Sequence, residues 1–194
     1  MRRSVLTMMA AGMAAGLVAG AFAGAALADP LTGKAAKKAL FMAKASEARI
    51  VSGAGLDAQS AQMLAAVGAQ QPWYGAIAIS PSEGLMSEAT VAAAKYHDVP
   101  SAARAALRDC NARKKDQAEC VLAAIIVPKG YEEGRPLQLS AEATEAFRKD
   151  YKGGALATSA ATGAFGIGTD TASAVAACQA KATDAVDCLV VIAD

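Results

Sequence analysis

The sequence is poor in large and chemically versatile side chains. Aromatics make up 5% of its 194 residues, with one Trp, four Tyr and four Phe, and there is a single histidine. One imidazole cannot supply a His-rich metal ligand set, and it confines any Ser-His-Asp chemistry to one position. An excess of charge of one sign is missing too, since 19 Lys+Arg face 18 Asp+Glu. A nucleic-acid binder carries clustered basic residues to displace phosphate counterions. Here the densest basic runs are Lys34, Lys37, Lys38 and Arg113-Lys114-Lys115, which read as solvated faces, so no nucleic-acid partner is expected. A hydrophobic fraction of 54% excludes a disordered polyelectrolyte, and the length admits one compact domain or two small repeats sharing a core.

What the chain has in abundance is alanine and glycine: 52 Ala and 17 Gly. Each buries little area, but both let backbones approach closely. The first 28 residues stand apart. Arg2 and Arg3 precede an uncharged stretch from Val5 to Ala26, and Ala26-Leu27-Ala28 offers small residues ahead of Asp29-Pro30. This is the pattern of a secretory signal peptide over residues 1–28, with cleavage after Ala28 and a periplasmic or secreted destination. The competing reading is an N-terminal membrane anchor, which the weakly apolar Gly and Ala content disfavours. No cysteine near the cleavage site offers a lipid acceptor. No transmembrane anchor is expected after cleavage, and residues 29–194 carry 17 basic and 18 acidic side chains.

An internal repeat organises the rest. Gly75-Ala76-Ile77-Ala78-Ile79-Ser80 followed by Gly84 returns as Gly154-Ala155-Leu156-Ala157-Thr158-Ser159 followed by Gly163. Downstream, Cys110 and Cys120 with an apolar run to Val127 match Cys178 and Cys188 with Leu189 to Ile192. Upstream, Leu56-Asp57-Ala58 and Leu139-Ser140-Ala141 open comparable helical segments. The chain therefore divides into an N-terminal segment over 29–55, a first copy over 56–130, a linker over 131–138 and a second copy over 139–194. Within 29–55, residues 34–48 read as helical and Arg49-Ile50-Val51 as an extra edge strand.

Each copy reads as strand, return strand, helix, strand. The first strands run into turn chemistry, and the returns fall within 91–97 and 164–168. Ala103, Ala106, Leu107 and Cys110 lie at i, i+3, i+4 and i+7, a stripe repeated by Thr171, Ala174, Val175 and Cys178. Asp98 or Ser101 and Asp170 are the N-caps, and Pro100 sits where a first-turn proline is tolerated. The fold expected is α+β: two ββαβ repeats forming one mainly antiparallel sheet with helices packed on one face.

Four cysteines in an exported chain, paired at identical C-x9-C spacing, read as disulfides Cys110–Cys120 and Cys178–Cys188. Closing loops of this size contributes about 2 to 3 kcal/mol each by the chain-entropy model. A zinc site would need tighter Cys pairs or a nearby His, and neither metal nor cofactor is expected. His97, in Lys95-Tyr96-His97-Asp98, is the one catalytic candidate. Its sequence neighbour Asp98 is badly placed to orient the ring, and no G-x-S-x-G elbow exists. Gly163 to Gly168 resembles a phosphate loop only loosely. The spacing is reversed, no Lys follows and Asp170 stands at the helix entry, so close packing and turn conformations account for the glycines. Trp73, Tyr74 and Tyr96 form a candidate contact surface, against the competing role of filling the core. Glu132-Glu133 and the Asp184, Asp187 pair read as solvated carboxylates.

The opening Trp73-Tyr74-Gly75-Ala76-Ile77-Ala78, the Gly-bounded hairpin, the Ala-rich helix ending in Cys110, and Cys120 with its apolar strand resemble a family of small secreted bacterial proteins classified as a domain of unknown function. The likeness covers 73–127 and again 154–192; it departs in a longer first hairpin and in lacking a further cysteine after the last strand. The resemblance implies an exported, disulfide-bonded domain and carries over no catalytic residue. Some relatives are designated as of 5-aminolevulinate synthase type, an activity that needs a larger scaffold, a phosphate cup and a Schiff-base lysine. The expected function is a non-enzymatic module that binds an envelope protein or cell-wall ligand. The alternative is a small periplasmic hydrolase or transferase using His97.

Overall fold

The computed structural model describes residues 29–41 and 45–194. The signal peptide expected over 1–28 lies outside the described residues. Twelve elements follow in order: α1 (Gly33–Ala39), β1 (Ser46–Ile50), α2 (Ala58–Gly68), β2 (Gly75–Ile79), β3 (Val91–Ala93), α3 (Val99–Arg113), β4 (Val121–Pro128), α4 (Ala141–Asp150), β5 (Ala155–Thr158), β6 (Phe165–Gly168), α5 (Thr171–Gln179) and β7 (Leu189–Ala193). The class is α+β with antiparallel sheets and helices packed against them, as the sequence predicts.

The strands form two sheets rather than one, ordered β1-β4-β2-β3 and β6-β5-β7. Each sheet takes part of the N-terminal segment at one edge. The outer edge of β4 is taken by β1, in register from Ser46 opposite Pro128 to Ile50 opposite Ala124. The outer edge of β7 is taken by Leu31, whose N–H donates to the Val191 carbonyl at 3.0 Å and whose carbonyl accepts from the Ala193 N–H at 2.9 Å. The N-terminal segment thus extends one edge of each sheet, and β3 and β6 form the opposite edges. That segment is not one unit either. Its helix is only α1, which packs with the second sheet, and its strand β1 belongs to the first.

Helices also cover both faces of each sheet rather than one. In β2, Ala76 and Ala78 face α3 while Ile77 and Ile79 face the side of α2. In β5, Ala155 and Ala157 face α5 while Leu156 joins Phe147 and Tyr151 of the α4 side and Ala36 of α1. The alanine faces let the cysteine-bearing helices lie close on their strands, and the large side chains on the opposite faces supply most of the buried area. Gly166 and Gly168 carry close approach furthest: a Cβ at Gly166 would stand 2.2 Å from the Cys178 amide nitrogen, and one at Gly168 2.3 Å from that of Ala174.

Both central strands are bulged at the same step, after Ile77 in β2 and after Leu156 in β5. The caps correspond as well. Asp98 Oδ1 accepts from the Ser101 N–H at 2.6 Å, and Asp170 Oδ1 from the Ser173 N–H at 2.8 Å. Ser101 is thus an interior residue of the first turn, not the cap, and α3 reaches its cysteine from the cap in one more turn than α5. The buried stripe of α3 is Ala102, Ala105, Ala106 and Cys110, with Ala103 and Leu107 half-buried at its border.

Candidate functional site

His97 occupies the loop from β3 into α3. Tyr96 holds that loop by a reciprocal backbone pair with Tyr74, at 3.0 and 3.2 Å, and Asp98 anchors its far end by capping α3. The ring points away from its own half. Nδ1 accepts from the Ser140 N–H at 3.2 Å, and Nε2 lies 3.0 Å from the Ala164 carbonyl oxygen. An amide can only donate and a carbonyl only accept, so the ring is the neutral Nε2–H tautomer. Phe165 stands edge-on to it at 6.4 Å. At 4% exposure the ring is desolvated, which pushes its pKa below the ordinary 6.5 against the opposing pull of the Ala164 carbonyl.

This geometry changes what His97 can do. Both nitrogens are engaged by backbone groups of the second half, and neither faces a nucleophile. The Ser159 hydroxyl, fully buried nearby in the second half, donates instead to Asp187, whose other oxygen accepts from the Ala161 N–H at 2.9 Å. Thr162 Oγ1 bonds Ser159 Oγ at 2.8 Å. Asp187 therefore fastens the turn between β5 and β6 rather than serving solvation, a role that no local sequence pattern signals. Asp184 makes no comparable side-chain contact among the described residues.

Trp73 and Tyr74 fill the core rather than forming the expected contact surface. Trp73 is 9% exposed and Tyr74 1%; they pack with Phe41, Val127 and Tyr131, with Tyr74 edge-on to Tyr131 at 5.7 Å. In a chain with so few large side chains, these rings are what closes the space between the halves. Only Tyr96 of the three keeps partial exposure. The segment expected to be a linker is pinned here too: Arg135 lies over the Phe41 ring at 3.9 Å and donates to the Ala39 carbonyl, and Arg49 donates to the Tyr131 carbonyl. Burial raises the Tyr74 hydroxyl far above its usual pKa.

Both cysteine pairs are joined as expected, with Cα–Cα separations of 6.1 Å for Cys110–Cys120 and 6.2 Å for Cys178–Cys188. Each ties the last turn of a helix to the strand that follows. Among the described residues, no group of three His, Cys, Asp or Glu side chains is placed to hold a metal ion, and no helix is long and apolar enough to cross a membrane.

A small cleft of about 210 Å³ lies beside the His97 contacts, lined by Lys95, Gly163, Ala164 and Phe165, and larger ones lie elsewhere, built from residues that share no local sequence pattern. One cleft of about 460 Å³ runs between α3 and the β5–β6 turn, with Arg104, Arg108 and Asp187 on its walls. Another, of about 420 Å³, separates α1 from the end of α4 and is lined by Lys34, Lys37, Arg148 and Lys152. Both carry charged side chains, the second being the more polar, and neither brings a nucleophile to a base. No family model, curated protein or solved structure matches the chain.

Proposed function

We propose that the chain is an exported, disulfide-stabilised envelope protein built from two copies of a ββαβ repeat, which binds an envelope protein or cell-wall ligand without catalysing a reaction. His97 carries this reading. The sole imidazole is buried with both nitrogens bonded to backbone, so the one side chain on which acid–base chemistry near neutral pH would turn is committed to joining the halves. Two closed disulfides support an oxidising compartment, and the basic leader ending in Ala26-Leu27-Ala28 supports export. The motifs shared with small secreted bacterial proteins support the same destination.

The test has two parts. Intact mass of the periplasmic or culture fraction is expected to show a chain beginning at Asp29 and lighter than its reduced form by the hydrogens of two disulfides. The immobilised protein is then expected to retain an envelope component while turning over neither ester nor cell-wall substrates. An uncleaved N-terminus with free thiols overturns export, and His97-dependent turnover overturns the non-enzymatic reading.

A further inference from the structure

Charge is least balanced in the cleft between α1 and the end of α4. Lys34 and Lys37 enter from α1, Arg148 from the last turn of α4, and Lys152 from just beyond it. One side-chain carboxylate shares the cleft, that of Asp194, and its oxygens are taken by the Gly33 N–H at 2.9 Å and the Tyr151 hydroxyl at 3.2 Å. Among the described residues, none of the four cations lies within ion-pair distance of a carboxylate.

Helix electrostatics explain part of this arrangement. Arg148 at the C-terminal end of α4 is favoured by the helix dipole. Lys34 is not: it stands in the first turn of α1, where the positive end of the helix disfavours a cation, and it shares the cleft with three more. Gathering like charges from two segments remote in sequence costs self-repulsion, in a chain whose residues 29–194 carry no basic excess. An anion in the cleft removes that cost.

We infer that the cleft binds a phosphate-bearing group. This deepens the binding function proposed above and rests on it by naming the ligand's chemistry. Four cations against the Asp194 carboxylate leave more charge than a monocarboxylate balances, whereas a phosphomonoester or pyrophosphate brings two or more negative charges. Arg148 supplies a planar fork for phosphate oxygens, the lysines supply point charges, and the volume of about 420 Å³ falls within the range of small-molecule sites.

The phosphate can belong to a free small molecule or to a lipid headgroup, and two probes separate these. Calorimetric titration of the full, disulfide-bonded chain with inorganic pyrophosphate at low salt is expected to give saturable binding that weakens as salt screens the cleft. The exposed-site variant Lys37→Gln/Arg148→Gln is expected to lose about tenfold or more in affinity, and Lys34→Gln alone to lose part of it. Lys115→Gln/Lys129→Gln, which removes exposed cations elsewhere, leaves binding unchanged, and unaltered thermal midpoints verify that all variants fold. Flotation with vesicles of phosphatidylcholine containing phosphatidic acid, but not of phosphatidylcholine alone, assigns the headgroup if the cleft variant abolishes it; pyrophosphate binding without flotation assigns a free ligand. Binding of neither probe, or equal loss in both double variants, overturns the site. If neither probe binds while the unsubstituted chain retains an envelope component, the phosphate site fails and the binding function stands; if the probes bind but the unsubstituted chain retains no envelope component, that function fails by itself.

Discussion

The backbone N–H of Ser140 donates to His97 Nδ1 at 3.2 Å, which puts the start of α4 under the control of a side chain from the other half of the molecule. Ser140 is itself the cap of α4, its hydroxyl accepting from the Ala143 N–H at 3.2 Å. Through Nε2 the same ring holds Ala164, at the entrance to β6.

Acid therefore loosens the join. Protonation places a proton on Nδ1, facing the Ser140 N–H, and converts an attraction into donor against donor. Because the folded ring titrates below 6.5, the unfolded chain takes up the proton first. The stabilisation is complete above the unfolded pKa of about 6.5 and is lost as pH falls through it toward the folded value. The thermal midpoint is expected to be flat from about pH 8 to 7 and to decline below about 6.5. The capping carboxylates Asp57 and Asp170 and the turn carboxylate Asp187 are held below the usual Asp range, so their contribution disappears at distinctly lower pH. A midpoint insensitive to pH between 7 and 5 contradicts the join.

His97→Ala is expected to cost about 2 to 4 kcal/mol, since it opens a cavity and strands the buried Ser140 amide. The same variant is expected to lose the pH dependence above. Hydrogen exchange should locate the added opening at the start of α4 and the β5–β6 hairpin, with β1 to β4 little affected.

Loss of either disulfide, as Cys110→Ala/Cys120→Ala or Cys178→Ala/Cys188→Ala, is expected to lower stability by about 2 to 3 kcal/mol in denaturant unfolding. The sequence separation is 10 in both, so the chain-entropy effect is equal. A large difference between the two variants would mean that native-state contacts around one bridge dominate.

Gly166→Ala tests the contact of α5 with β6. The added methyl meets backbone rather than a flexible side chain, so relief requires moving the helix. A loss of about 1 to 3 kcal/mol is expected, whereas Gly53→Ala has no such neighbour and strains only its positive φ of 83°. Equal costs at the two positions would show that conformation, not helix approach, accounts for Gly166.

Features that depend on a few neighbouring residues were legible in the sequence. Asp170 caps its helix through the amide three residues on, as its place in the sequence implies, and each disulfide closes a loop within one half; Asp98 rather than Ser101 caps α3, and Asp57 and Ser140, read only as helix openings, prove to be caps of the same kind. The alternation of Ala with Ile or Leu in β2 and β5 likewise fixes two faces of unlike size, because side chains alternate across a strand. What tertiary structure decided is which partner covers each edge and face. Leu31 and β1 are separated by a short stretch of chain yet close different sheets, a choice made by unsatisfied edges on β7 and β4 rather than by any local preference. The same holds for the sites. Neighbouring residues say nothing of His97 meeting Ser140 or of Trp73 reaching Ala141, which need the two halves to meet, or of Lys34 and Arg148 sharing a cleft, which needs α1 and α4 to pack on the same sheet.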